Sequence, residues 1–344
     1  MIPVSIPRHS RGISLVELLI ALTLSLVIGI AVTQMFLASK TTYRLQEAMA
    51  RVQENGRFAV NFLAGDIRMA GFMGCGNISE MTISVIANPA PIDATNPLGQ
   101  VIGGQNNVSS SNTWSAVSGT DVLSIRRASN AGVRLVGNME TDNANIQIED
   151  NRMGLLAGDT LFLADCVSAD IFRATNVSSG DAKTTVAHAN NFNTSNKLSK
   201  AYGADAEVLA FENITYFIRD TGRQTASGQP IRALWVERRF ANRSDTSASA
   251  VELVEGVEDM QLEYGVATGS SMVANDYLTA NAVTDWSKVV SVRFSLLLQS
   301  TESRVAPSSG TGAQAVQFNG SSVAADGRLR QVFGSVVAIR NRVR

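Results

Sequence analysis

The chain has 344 residues, enough for one large or two modest domains with a sizeable core, and its net charge of −1 gives no strong field that would favour nucleic acid. Only 17% of residues are charged while Gly, Ser, Asn, Thr and Ala are plentiful, which suits an extracytoplasmic β-rich domain with long polar loops. The two histidines, His9 and His188, lie far apart, so a histidine-based metal site or catalytic triad is poorly supplied.

Residues 1–12 form a short basic, polar leader that ends at Gly12. A mostly apolar run then extends from Ile13 to about Ala38, and roughly 20 such residues span a bilayer as a helix. Glu17 is the anomaly in this run, because an acid near the centre of a membrane helix costs on the order of 3 kcal/mol and less towards its end. A partner is available if the chain is cut after Gly12. Ile13 then gains a free α-amine, and in a stack of such helices Glu17 of one subunit faces the amine of its neighbour. That pairing neutralises both charges in low dielectric and fixes the axial register. The competing readings are a carboxylate that snorkels to the interface, a plain signal anchor, which leaves Glu17 unexplained, and a secretory signal peptide, whose apolar region is shorter and followed by a small-residue cleavage site. Arg8 and Arg11 precede the span and Lys40 and Arg44 follow it, so charge bias leaves the orientation open.

Past the span, Leu45, Met49, Val52, Gly56, Ala59, Leu63, Ile67 and Ala70 recur at intervals of three and four. That spacing marks one face of a helix over residues 39–72. Tyr43, Arg44, Glu47, Arg51, Gln53, Glu54, Arg57 and Asp66 cover much of the remainder. One long helix results, with a break near Gly56 or Gly65 as the alternative, before Gly71, Gly74 and Gly76 end it. Cys75 and Cys166 are an even pair that, behind a membrane anchor in an oxidising compartment, predicts a disulfide rather than two buried thiols. Two such ligands make no closed metal site.

Residues 88–119 read as loop. Strand-like runs follow at Asp121–Arg127, Asp159–Leu163, Ile171–Val177, Glu207–Arg219, Ile231–Phe240, Met260–Val266, Val289–Gln299 and Val332–Ile339. Val251–Glu258 reads as a short helix or turn, and Thr141–Asp150, Ser178–Asn196 and Thr301–Ala325 as polar loops. The arginines near the C-terminus, Arg328, Arg330, Arg340, Arg342 and Arg344, are expected to flank a solvated strand edge and discourage sheet-to-sheet pairing. Strands in succession without long intervening helices point to antiparallel sheet. The predicted class is α+β, a long N-terminal helix packed on an antiparallel β-sheet domain with long loops over residues 73–344. No nucleophile–base constellation, phosphate loop or metal spacing emerges, so neither an enzyme nor a cofactor is expected.

Gly12-Ile13-Ser14-Leu15-Val16-Glu17-Leu18 closely resembles the leader and cleavage site of type IV prepilins. The resemblance implies cleavage between Gly12 and Ile13 by a prepilin peptidase, N-methylation of Ile13, and a leader facing the cytoplasm. The family's first mature residue is usually Phe, where this chain has Ile13. The stretches Arg51–Phe58, Asp66–Phe72, Leu253–Gln261 and Arg328–Phe333, with Val337–Arg342, are similar to the PilW family of type IV pilus minor pilins. That likeness implies a pilin-like fold, an inner-membrane anchor with the domain in the periplasm, and assembly with other minor pilins and the major pilin on an inner-membrane assembly platform. It also implies a place in the priming or tip complex, with a large tip adhesin among the partners. The chain resembles the J-type minor pseudopilins of type II secretion as well.

Overall fold

The computed structural model describes residues 14–137, 139–243, 250–269, 271–310, 312–313 and 315–342. A single helix, α1 (Leu15–Arg68), runs unbroken through Gly56 and Gly65. It ends earlier than the periodicity suggests, because Met69 caps it and Gly71 turns the chain with a φ of +72°. Among the described residues the first half of α1 has no packing partner. One 18-residue window has a mean hydropathy of 2.6 and none of it is buried, so the helix is long and apolar enough to cross a membrane. The second half buries Ala48, Val52, Gly56, Ala59, Leu63, Ala64, Asp66 and Ile67. Leu45 is half-buried, whereas Met49 stays exposed on the flank of that stripe.

The strands after the helix are, in order, β1 (Thr82–Val85), β2 (Ile102–Gln105), β3 (Val122–Ala128), β4 (Val133–Arg134), β5 (Asn145–Ile148) and β6 (Thr160–Ala164). Next come β7 (Ser168–Arg173), β8 (Asn176–Ser179), β9 (Thr184–Ala187), β10 (Glu207–Gln224), β11 (Pro230–Phe240) and β12 (Val251–Glu255). The last are β13 (Val257–Val266), β14 (Asp276–Leu278), β15 (Val289–Gln299), β16 (Val316–Phe318), β17 (Ser321–Val323) and β18 (Arg330–Ala338). Strand β10 is the spine of a nine-stranded sheet in the order β1-β7-β6-β10-β11-β12, with β3 and β4 also paired to β10 and β2 to β3. Its pairings are antiparallel except that of β1 with β7. A four-stranded antiparallel sheet has the order β14-β13-β15-β18. Two small sheets, β5-β9-β8 and β16-β17, complete the architecture.

Several loops of the sequence reading therefore carry short strands: β2, β5, β9 and the β16–β17 hairpin. The stretch Val251–Glu258 is not a helix or turn but strand β12, followed by Gly256 and the start of β13. Gly256 has a φ of +83°, and a Cβ there would lie 2.7 Å from the Gln299 carbonyl oxygen, so only glycine fits this turn.

The largest core lies between the two main sheets. Ile125, Ile214, Tyr216, Leu234 and Val236 face it from one side, and Met260, Leu262, Tyr264, Val292, Phe294 and Leu296 from the other. Helix α1 closes it with Val52, Ala59, Leu63 and Ile67. At about 1.5–3 kcal/mol per fully buried large apolar side chain, this stripe is what holds the second half of the helix to the domain.

Candidate assembly site and its seat on the domain

The sequence places the assembly chemistry at Gly12, Ile13 and Glu17. Gly12 and Ile13 lie outside the described residues, as do the rest of the leader and Arg344. Glu17 sits in the first turn of α1, where its Oε2 accepts the backbone N–H of Ser14 at 3.4 Å. A carboxylate in the first turn satisfies a helix-start donor and complements the helix dipole. Among the described residues this is the one hydrogen bond of the Glu17 carboxylate.

How that helix is fixed to the domain was only half legible in the sequence. The close approach is at Gly56, where a Cβ would meet the Phe333 ring at 2.5 Å. Farther along, Asn341 Nδ2 donates to the Ala70 carbonyl at 3.0 Å. Gly56 thus lies beside Phe333 and Ala70 beside Asn341, so α1 and β18 run side by side in the same direction. Asn55 Nδ2 donates to the Glu255 carbonyl at 3.0 Å and ties the opposite flank to β12.

The second fixing point is polar and buried. Asp66, in the last turn of α1, accepts from the Tyr216 hydroxyl at 2.5 Å and from Arg238 at 2.5 Å. Arg127 lies 3.4 Å from Asp66 and 3.5 Å from Glu212, with only 4% of its side chain exposed. Two acids and two guanidinium groups therefore offset one another where α1 meets β3, β10 and β11. Burial pushes the Tyr216 phenol above its usual range, and the neighbouring Asp66 charge and their hydrogen bond push it further. Burial likewise raises the Glu212 carboxyl, against the pull of Arg127 and Arg238. The sequence reading put Asp66 on the exposed polar face. The signal that it belongs inside lies in the strands: Arg127 and Arg238 each fall two positions after a core residue, Ile125 and Val236, so alternation puts both on the core side of the sheet, Arg127 buried and Arg238 at its exposed rim.

Of the C-terminal arginines, Arg340 is exposed beside the edge strand β18 as expected, whereas Arg330 and Arg342 depart from that expectation. The Arg330 side chain is 6% exposed and donates to Glu258 at 2.7 Å and to Asp326 at 2.7 and 2.9 Å. Burial alone would lower its guanidinium, but the hydrogen bonds to Asp326 and Glu258 outweigh it and hold the group above its ordinary range. Arg342 is 7% exposed and donates to the carbonyls of Trp286, at 2.6 Å, and Val289. Burial brings it down to about 10. Both act as internal pins, Arg330 through two carboxylates and Arg342 through two backbone carbonyls.

Cys75 and Cys166 form a disulfide. It joins the turn after α1 to the loop between β6 and β7, where Asp165 also holds Lys200. His188 is fully buried against Phe172, at 5.1 Å between ring centroids, and burial lowers it to about 4. Among the described residues no group of three or more His, Cys, Asp and Glu is arranged to hold a metal ion.

Comparison with protein families agrees with this division of the chain. The prokaryotic N-terminal methylation motif matches residues 7–33 and the type IV pilus-assembly protein W model matches residues 215–341. No curated protein and no solved structure matches the chain. The second match takes in Tyr216, Arg238 and β18, the partners that seat the helix. An N-terminal methylation motif on an exposed apolar helix, with a domain that carries the family's region, fits a membrane-anchored pilin. The helix of this chain thus opens in a stretch that matches a pilin-type methylation motif, and residues 215–341, which supply most of the helix's seat, match the model of type IV pilus-assembly protein W.

Proposed function

We propose that this chain is a minor pilin of the type IV pilus that helps form the priming or tip complex from which the pilus is assembled. One observation carries the reading: α1 is firmly seated on a domain with the PilW region, while its motif-bearing first half is apolar and unburied among the described residues. Such a handle is built to be covered, first by lipid and then by the helices of other pilins. In this reading a prepilin peptidase removes residues 1–12 and Ile13 becomes N-methylated. Residues 13–38 lie in the inner membrane, and the rest of the helix and the domain over residues 73–344 stand in the periplasm. Glu17 then turns from the amide of its own Ser14 to the free amine of a neighbour's Ile13. The exchange trades a 3.4 Å neutral-donor bond for a charge pair in low dielectric. The partners are other minor pilins, the major pilin, the inner-membrane assembly platform and a large tip adhesin.

Deletion of the gene, with pili counted and protein secretion measured in the same strains, tests the role. Loss of pili with intact secretion is the expected result. Intact pili with lost secretion would overturn it and favour a secretion pseudopilin.

A further inference from the structure

The outer face of the large sheet carries a feature that helix anchoring does not use. Across β3, β10 and β11, register places Ser124, Thr215 and Glu237 in one row and Arg126, Asn213 and Arg239 in the next. These six side chains floor a cavity of about 410 Å³ with Trp114 in its wall. Ser124 and Arg126 also line an adjoining cavity of about 210 Å³, bounded by Trp286 and by Gly103 of β2. Gly103 lies opposite Ser124 in the β2–β3 register and leaves open space where a side chain would stand.

The floor is short of partners. Arg126 spends one guanidinium N–H on the Gln100 carbonyl at 2.9 Å, and no carboxylate among the described residues pairs with it. Burial with no acid beside it pulls this guanidinium below its ordinary range. Thr215 is 9% exposed, and its hydroxyl has no hydrogen-bond partner among the described residues. The side-chain oxygen of Asn213 is buried and unpartnered too. Glu237 and Arg239 pair with each other at 2.8 Å. Buried polar groups left unpaired are costly unless something arrives to bond them.

We propose that this floor is a binding site for an acidic saccharide, with Arg126 taking the sugar carboxylate and Trp114 flanking the ring. A single unpaired guanidinium matches a single carboxylate, which it binds through two parallel N–H donors. Hydroxyl and amide groups beside it give the mixed donors and acceptors that vicinal sugar hydroxyls need. A tryptophan in the wall offers the apolar surface on which the C–H face of a pyranose rests. A peptide fits less well. The site lies on a sheet face whose backbone groups are already used in strand pairing, so the amides of a bound peptide would find few partners.

The test is calorimetric titration of the full-length protein in detergent with trigalacturonate, beside maltotriose and sodium acetate. Saturable binding of trigalacturonate, with neither of the others competing, is the expected result. Arg126→Gln and Arg126→Lys should each weaken it by about tenfold or more, because both lose the two-pronged contact. Thr215→Val and Trp114→Ala should each weaken it by about threefold to tenfold, and they keep the test open if the arginine variants fail to fold. Equal binding of maltotriose would overturn the assignment. So would full competition by acetate, which would mean a simple anion site, no saturable binding at all, or unchanged affinity in the folded variants.

Discussion

Three single positions carry more of this molecule than their size suggests. At Gly56 a larger side chain must displace the Phe333 ring. Gly56→Leu should lower stability by about 1–3 kcal/mol through overpacking, and adding Phe333→Ala should recover part of that loss. Denaturant midpoints of the two single variants and the double variant measure the coupling. At Asp66, replacement by Asn removes the acid that faces two guanidinium groups. A loss of about 3 kcal/mol is expected for breaking a buried charge pair from one side, with the protein remaining folded because the apolar stripe is untouched. His188 sets a pH signature. Its folded-state value, about 4, lies below its ordinary 6.5, so between those limits the unfolded chain binds the proton and the folded one does not. The His188 contribution to stability is therefore lost as pH drops from about 6.5 to about 4, while buried Asp121, raised to about 6, pulls the other way, and His188→Gln should remove the histidine's share of the slope whatever it does to the absolute value. Unfolding curves at pH 7 and pH 5 for both proteins decide it.

At the scale of elements, long periodic segments were legible and short polar ones were not. The repeating three-and-four spacing through Ile67 marks α1, because only a helix places Val52, Gly56, Ala59 and Leu63 on one face. The long strands β10, β11 and β15 announce themselves by apolar, β-branched content. By contrast, β5, β9, β16 and β17 are three or four residues long and about half polar, too short to show a period, and they exist because neighbouring strands offer them backbone partners. The misreading of Val251–Glu258 has a specific cause. Val251, Val254 and Val257 are spaced by three, as in a helix, yet a register shift between β11 and β12 and the turn at Gly256 produce that spacing in strands. The polar seat at Asp66 escaped because an acid next to an apolar stripe reads as its wet border until its partners on other strands are known. At this scale belongs the assembly prediction. If the proposed pairing holds, Glu17→Ala should leave processing largely intact and reduce incorporation into pili, since it removes only the acid proposed to meet a neighbour's amine. Immunoblots of sheared pili against whole cells separate the two steps, and wild-type incorporation would contradict the pairing.

For the whole molecule, the helix divides into a part that the domain owns and a part left for others. Because the domain grips only the second half, it should fold whether or not the leader is removed. A bulky residue in place of Gly12, such as Gly12→Phe, is therefore expected to give a full-sized, membrane-retained protein with the Cys75–Cys166 bridge formed and no entry into pili. Mass spectrometry of the membrane fraction under non-reducing conditions reads both features at once. Appearance of a shortened species in that variant would contradict cleavage after Gly12.

The side-by-side course of α1 and β18 also bears on traction. A force drawing the helix along its own axis acts parallel to the seam formed by Gly56 with Phe333 and Ala70 with Asn341. Contacts loaded in that direction share the strain together instead of parting one after another. Just beyond the helix end, the Cys75–Cys166 link carries whatever tension reaches it into the β6–β7 hairpin of the large sheet. The same packing that positions the handle therefore makes it hard to tear away.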